Sequence, residues 1–103
     1  MANMNNLMKQ AQQMQAKIGM LQKELETKEV EASSGGGMVK VKVNGKQELL
    51  EIKINPDCVD PSDVEMLEEL VMTAVNQGVK ESSDMVSNAM NKVTGGLNIP
   101  GMF

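Results

Sequence analysis

The sequence predicts an α+β protein in which one helix, three antiparallel strands and a second long helix follow each other in the order α-β-β-β-α. The spacing of apolar residues carries this prediction. It follows heptads near the N-terminus, alternates every second residue in the middle, and returns to helical spacing after a Pro-containing turn. The chain has 103 residues, which is room for one domain.

Residues 1–27 are predicted to form the first helix. Its apolar or small residues recur at steps of three and four, the a/d pattern of a heptad seam over three heptads. The seam consists of Met4, Leu7, Ala11, Met14, Ile18, Leu21 and Leu25. Because so short a helix is marginal alone, the seam needs a partner surface. The partner is either the second helix or a surface across the dimer. We favour the second helix within each protomer, with the sheet joining two protomers.

Residues 28–55 are predicted to form a three-stranded antiparallel meander. Two runs alternate apolar with charged residues, as strands with one buried face do. Their apolar positions are Val39, Val41, Val43, Leu50, Ile52 and Ile54. The pair Asn44-Gly45 between the runs predicts a type I′ hairpin turn. Weak alternation over residues 29–32 predicts the first strand, and the Ser- and Gly-rich residues 33–37 predict a flexible loop.

Residues 61–93 are predicted to form the second helix, with Asp60 as its N-cap and Pro61 at its first position. At about 1.5 Å per residue this helix is roughly 50 Å long, too long for the small sheet to cover. Residues 95–103 are predicted to be a flexible tail after Gly95-Gly96. The residues expected to pack between helices or in a dimer are Leu7, Met14, Ile18, Leu21, Val39, Val41, Leu67, Leu70, Val71 and Ala74.

The composition argues against an enzyme. The chain has no His and no Arg, and it has a single Cys, Cys58, which excludes an internal disulfide and a Cys-rich metal site. The Ser-Gly loop lacks the Lys-Ser/Thr of a phosphate-binding loop, and the acids of residues 60–69 suit a helix N-terminus. We expect no cofactor, metal or small-molecule substrate. Without an apolar span or leader pattern, a cytoplasmic protein is expected.

The charge is distributed unevenly along the chain. The net charge is −4, yet residues 1–23 carry three Lys and no acid, whereas residues 56–103 carry two Lys and eight acids. Lys9, Lys17 and Lys23 fall outside the seam, on a face otherwise made of Asn, Gln and Ala. This face is either an ordinary solvated surface or a contact for phosphates. A protein surface that contacts phosphates lacks carboxylates, and its Asn and Gln side chains can donate hydrogen bonds to phosphate oxygens.

Several segments resemble the YbaB/EbfC family of bacterial nucleoid-associated proteins. Residues 6–15 (NLMKQAQQMQ) resemble its opening helix, and residues 39–45 (VKVKVNG) resemble its central hairpin. Residues 52–56 and 65–71 are similar to its third strand and second helix, and residues 95–101 to its tail. The resemblance covers nearly the whole chain.

The resemblance implies a tweezer-like homodimer that binds double-stranded DNA in the nucleoid and affects gene expression. On the matched positions it implies Lys9, Gln10 and Gln13 as DNA-binding residues, while helix phase adds Lys17 and Lys23. Lysines without Arg suit phosphate contact more than base reading. The alternative is a prefoldin-like holding chaperone, in which the Met-rich stripe of the first helix binds client proteins.

Overall fold

The computed structural model describes residues 2–94, and its elements confirm the predicted α+β order. The helices and strands are α1 (Ala2–Thr27), β1 (Glu29–Ser34), β2 (Val39–Asn44), β3 (Leu49–Ile54) and α2 (Val64–Thr94). Short 3-10 turns at Gly35–Gly37 and Pro56–Cys58 connect them. The described part measures 75 × 24 × 16 Å, because the two helices extend well beyond the sheet. The predicted tail lies outside the described residues.

The three strands form an antiparallel sheet with β2 in the centre. Val41 of β2 lies opposite Ala32 on one side and Ile52 on the other. Val39, Val41 and Val43 are at most 2% exposed, so the apolar face of β2 is the centre of the core. Burial of these β-branched side chains is the main stabilisation of the sheet.

Helix α2 packs on β1 and β2 and leaves β3 largely uncovered. Two buried hydroxyl groups fasten this packing near its ends. Ser34 Oγ donates a hydrogen bond to the carbonyl of Leu70 (2.6 Å), and Ser82 Oγ donates one to the carbonyl of Asn44 (2.5 Å). Between them Ala74 is fully buried against the valines.

The predicted type I′ turn at Asn44-Gly45 is wrong. That turn needs positive φ at both central residues, but the residue with positive φ in this loop is Gln47 (φ 63°). A longer loop, residues 45–48, joins β2 to β3. The Asn44 side chain organises it, since its Oδ1 accepts hydrogen bonds from the main-chain N–H groups of Lys46 (2.9 Å) and Glu48 (3.0 Å). This side-chain turn replaces the backbone turn that the sequence pair predicted.

The predicted loop at residues 33–37 is shorter than expected. Its two serines belong to β1, where Ser34 is buried, and the turn is confined to Gly35–Gly37. All three glycines have positive φ (59°, 67° and 92°), a conformation that side chains with a Cβ rarely adopt.

Helix α2 begins at Val64, so the predicted N-cap at Asp60 is wrong. Asp60 instead closes a turn before the helix, accepting hydrogen bonds from the Ser62 N–H (2.9 Å) and, through its carbonyl, from the Asp63 N–H (2.9 Å). Asp63 is the cap, because its carboxylate accepts from the N–H of Met66 (3.3 Å).

The heptad seam of α1 is buried only near its C-terminal end, where Leu25 is 3% exposed. Ile18 and Leu21 are half-buried, and α1 contacts α2 along this part. We call residues 22–26 the root of α1 and residues 4–17 its arm. A cavity of about 330 Å³ at the root is lined by Leu25, Gly45, Val86 and Met90, among others. The expected packing of the seam on α2 is therefore seen at the root of α1 and in the turns next to it.

Candidate nucleic-acid interface

The five predicted DNA-binding residues share one face of α1. Lys9, Gln10, Gln13, Lys17 and Lys23 are all exposed. At 100° per residue they fall within an arc of about 140°, whose centre lies more than 100° from the seam. We call these five residues the cationic face. Lys9 and Lys17 lie about 12 Å apart along the helix axis, a spacing that reaches more than one phosphate of a nucleic-acid backbone.

The lysines of the cationic face are not neutralised within residues 2–94. The ion pairs in that part of the chain involve Lys42, Lys46 and Lys53 instead. Residues 2–23 contain no acid, whereas Lys23 is followed directly by Glu24 and, one turn later, by Glu26. The positive potential is therefore strongest along the arm and declines toward the root.

The outer face of the sheet is charged but balanced. Lys42 lies between Glu31 (3.8 Å) and Glu51 (3.7 Å), and Lys53 Nζ approaches the other Glu51 oxygen to 3.3 Å. The hydrogen bond and charge of Lys53, with a smaller effect of Lys42, lower the pKa of Glu51. Because the carboxylates offset the lysines, this face attracts an anionic polymer less than the arm does.

The start of α2 carries the opposite charge. Five exposed acids lie there, and they are Asp60, Asp63, Glu65, Glu68 and Glu69. The Ser62 hydroxyl and N–H both donate to Asp60 and lower its pKa, which keeps this carboxylate ionised. The root of α1 lies beside Met90, about 39 Å along α2 from Val64. The described molecule therefore has an acidic end and a cationic arm far from each other.

One exposed cation in the acidic half of the chain was missed by sequence reasoning. Lys92 lies in the last turn of α2, two residues beyond Met90. The average charge of residues 56–103, which is acidic, hides this lysine in the sequence. At 100° per residue it projects on the side of α2 opposite Met90, so it points away from the root of α1.

The predicted packing residues occupy three different environments. Val39, Val41 and Ala74 form the core, and Leu67, Leu70 and Val71 pack against it. Met14, Ile18 and Leu21 are half-buried along α1, while Leu7 is 63% exposed on the arm.

Strand β3 has an apolar face that α2 does not cover. Its four large aliphatic side chains, Leu49, Leu50, Ile52 and Ile54, are 39–48% exposed. Within the described residues β3 pairs only with β2, so its other edge has free main-chain donors and acceptors. An apolar, unpaired edge strand is a ready surface for a second chain.

Within residues 2–94, neither helix has an apolar stretch long enough to cross a membrane. No three Cys, Asp or Glu side chains in that range lie close enough together to hold a metal ion.

The fold packs two helices on one small sheet, and the first helix has a face of lysines and glutamines without acids. This combination defines a class of protein, and comparison with known proteins identifies the class. The model of the YbaB/EbfC DNA-binding family matches residues 1–97. The chain belongs to this family.

Named relatives agree with this assignment. A nucleoid-associated protein of Thermoanaerobacter pseudethanolicus is 57% identical over 101 residues, covering 98% of this chain and 91% of the relative. One from Clostridium novyi is 58% identical over 101 residues, covering 98% and 89%. The crystal structure of an uncharacterised protein from Helicobacter pylori, 28% identical, matches with a TM-score of 0.70 over 84% of this chain and 92% of that one.

Proposed function

We propose that this chain is a homodimeric nucleoid-associated protein that binds double-stranded DNA through the cationic face of α1. The observation that carries the proposal is the exposed, unpaired set of lysines on an arm with no carboxylate, in a member of a DNA-binding family. The acidic start of α2 supports the same orientation, because it repels DNA from the far end of the molecule.

The contacts are mainly with the DNA backbone. Lysine is a point charge that binds phosphate without the paired geometry that Arg uses to read guanine. Gln10 and Gln13 can donate hydrogen bonds to phosphate or sugar oxygens beside the lysines. The chain has no Trp or Tyr and one Phe, at position 103, so stacking on unpaired bases has almost no side chains to use.

Dimerisation brings two cationic faces to one duplex. The uncovered apolar face of β3 is the surface we assign to it, since a second copy would bury the four aliphatic side chains and pair the free strand edge. One protomer offers few phosphate contacts, and two arms double that number on a single molecule. The tweezer-like arrangement places both arms on the same DNA.

This binding would place the protein in the cytoplasm, on the nucleoid. Binding through the backbone is sequence-tolerant, so many molecules can occupy the same DNA and organise it. Occupancy near promoters would then affect gene expression.

Charge reversal on the arm tests the proposal. Lys9→Glu with Lys17→Glu is expected to abolish the mobility shift of a duplex at low salt, while light scattering still gives a dimer. Lys40→Glu with Lys80→Glu is the matched control, because both lysines are exposed, are outside the ion pairs described above and lie away from α1. Equal loss in both variants would show a general charge effect and reject the arm as the site.

The family assignment favours DNA over the prefoldin-like function that the Met-rich stripe of α1 also allows. The two differ in salt dependence, since client binding through apolar side chains resists salt. Suppressed aggregation of an unfolded protein, with no binding of a duplex at low salt, would support the chaperone and contradict our proposal.

A further inference from the structure

The outer part of the α1 seam has no partner in the described structure. Met4, Leu7 and the flanking Met8 are 70%, 63% and 62% exposed, while Leu25 at the root is 3% exposed. We call Met4, Leu7, Met8 and Ala11 the tip seam. It continues the heptad spacing of the buried part without a break, so it extends an existing helix–helix interface.

The heptad spacing identifies the kind of partner that fits. A seam with residues at steps of three and four is complementary to another helix. The described portion of helix α2 covers only the inner part, because it continues four residues, or about 6 Å, beyond Met90 at the root. Leu7 lies about 27 Å from Leu25 along α1. Residues 2–94 hold no other helix of comparable length that could reach the tip seam.

We propose that the tip seam pairs with the tip seam of a second copy of this chain, in antiparallel orientation and between dimers. The side chains beside Leu7 favour a self-complementary contact, since Met8 and Gln10 bear no charge and Lys9 lies on the opposite side of the helix. The antiparallel orientation avoids bringing two positive helix N-termini together. Gln10 of the cationic face borders this contact, whereas its three lysines lie outside the contact and stay free.

The size of the tip seam makes this pairing weak. Four side chains from each copy bury much less than the roughly 1,200 Å² that specific, stable interfaces reach. Free dimers at low concentration therefore stay apart. Dimers held on neighbouring DNA segments face each other at a high effective concentration, so the same contact would join two duplexes. This consequence rests on the proposed DNA binding, whereas the pairing itself does not.

Sedimentation velocity without DNA tests the pairing, with the full chain from about 10 μM to about 1 mM, the range in which weak contacts appear. We expect species larger than the dimer to grow with concentration. Leu7→Gln should weaken this association by about tenfold or more. Met20→Gln is the matched control, because Met20 is 67% exposed on the same helix but off the seam, and it should associate as the wild type does.

Three outcomes would overturn the proposal. The first is the absence of any species larger than the dimer at about 1 mM. The second is equal association by Leu7→Gln and the wild type; if this variant also lost affinity for a single duplex, the tip seam would be a DNA contact. The third is stronger association after Leu97→Ser with Ile99→Ser, which would make the chain's own last residues the occupant.

A capture experiment separates this proposal from the proposed function. A duplex fixed on beads should retain a second, labelled duplex in the presence of the wild type, and Leu7→Gln should lose this capture while its affinity for one duplex is unchanged. Association in sedimentation without any binding of a duplex would refute the DNA function and leave the pairing standing.

Discussion

Gly45 lies so close to the main-chain carbonyl group of Leu25 that a methyl group at this position would overlap the carbonyl oxygen. The contact joins the loop between β2 and β3 to the root of α1. It is reinforced by the ion pair between Lys46 and Glu26 (3.8 Å) and by the side-chain hydrogen bonds of Asn44. The direction in which the arm leaves the sheet is therefore fixed at this loop.

Gly45→Ala is expected to destabilise the protein by about 1–3 kcal/mol, because backbone atoms must move to admit the methyl group. Urea unfolding followed by circular dichroism measures the change. Gly19→Ala is the control, since a methyl group there meets nothing within 4 Å and α1 gains up to about 1 kcal/mol in helix propensity. Equal stability of the Gly45 variant and the wild type would contradict the close contact.

Ser82→Ala is expected to cost about 1 kcal/mol of unfolding free energy. Ser82 is fully buried, and its hydroxyl donates to the carbonyl of Asn44. The cost stays moderate because that carbonyl also accepts from the Gln47 N–H (3.0 Å) and keeps one partner. Ser83→Ala, one residue away and half-buried, is the control for helix propensity. A Ser82 variant no less stable than the Ser83 variant would rule out a stabilising role of the hydrogen bond.

Glu51 should titrate below the ordinary pKa of a glutamate, and Lys53→Gln should raise its pKa back toward that value. Since the folded pKa is lowered, this interaction stabilises the fold above the unfolded pKa and is lost as the pH falls through the folded pKa. An NMR titration of the Glu51 carboxyl group measures it. Lys42→Gln should have a smaller effect, and a larger one would reverse the assigned order of the two lysines.

Ile52→Glu is expected to convert the dimer to a monomer, because it places a charge on the uncovered apolar face of β3. Light scattering after gel filtration gives the mass. Lys53→Gln, on the opposite face of the same strand, should remain dimeric. A folded Ile52 variant that is still a dimer would move the dimer interface away from β3.

The helices and strands could be predicted from the sequence because each has its own spacing of apolar residues. Val39, Val41 and Val43 alternate, and the seam residues of α1 follow heptads, so the core of the sheet and the face of α1 were both evident. Charge and helix phase predicted the three lysines of the cationic face, and the family resemblance added Gln10 and Gln13. The exposure of this face and its lack of ion pairs within residues 2–94 agree with that reading.

The loops could not be predicted because side chains decide them. Asn44 uses its amide to organise a four-residue loop, where the pair Asn44-Gly45 alone favoured a two-residue turn. Asp60 and Asp63 are both suited to cap a helix. Asp60 is used in the turn that precedes α2, so Asp63 is the N-cap of this helix. The sequence also did not show how much of the α1 seam is buried, since this depends on how far α2 continues beside α1.

The most direct test of the central claim is fluorescence anisotropy of a labelled duplex titrated with the protein across a salt series. The claim predicts a linear fall of log affinity with log salt, and a slope about 1 smaller in magnitude for each phosphate contact that Lys9→Gln with Lys17→Gln removes. Lys40→Gln should leave the slope unchanged. An affinity that does not depend on salt, or the same slope in all three proteins, would contradict binding through the arm of α1.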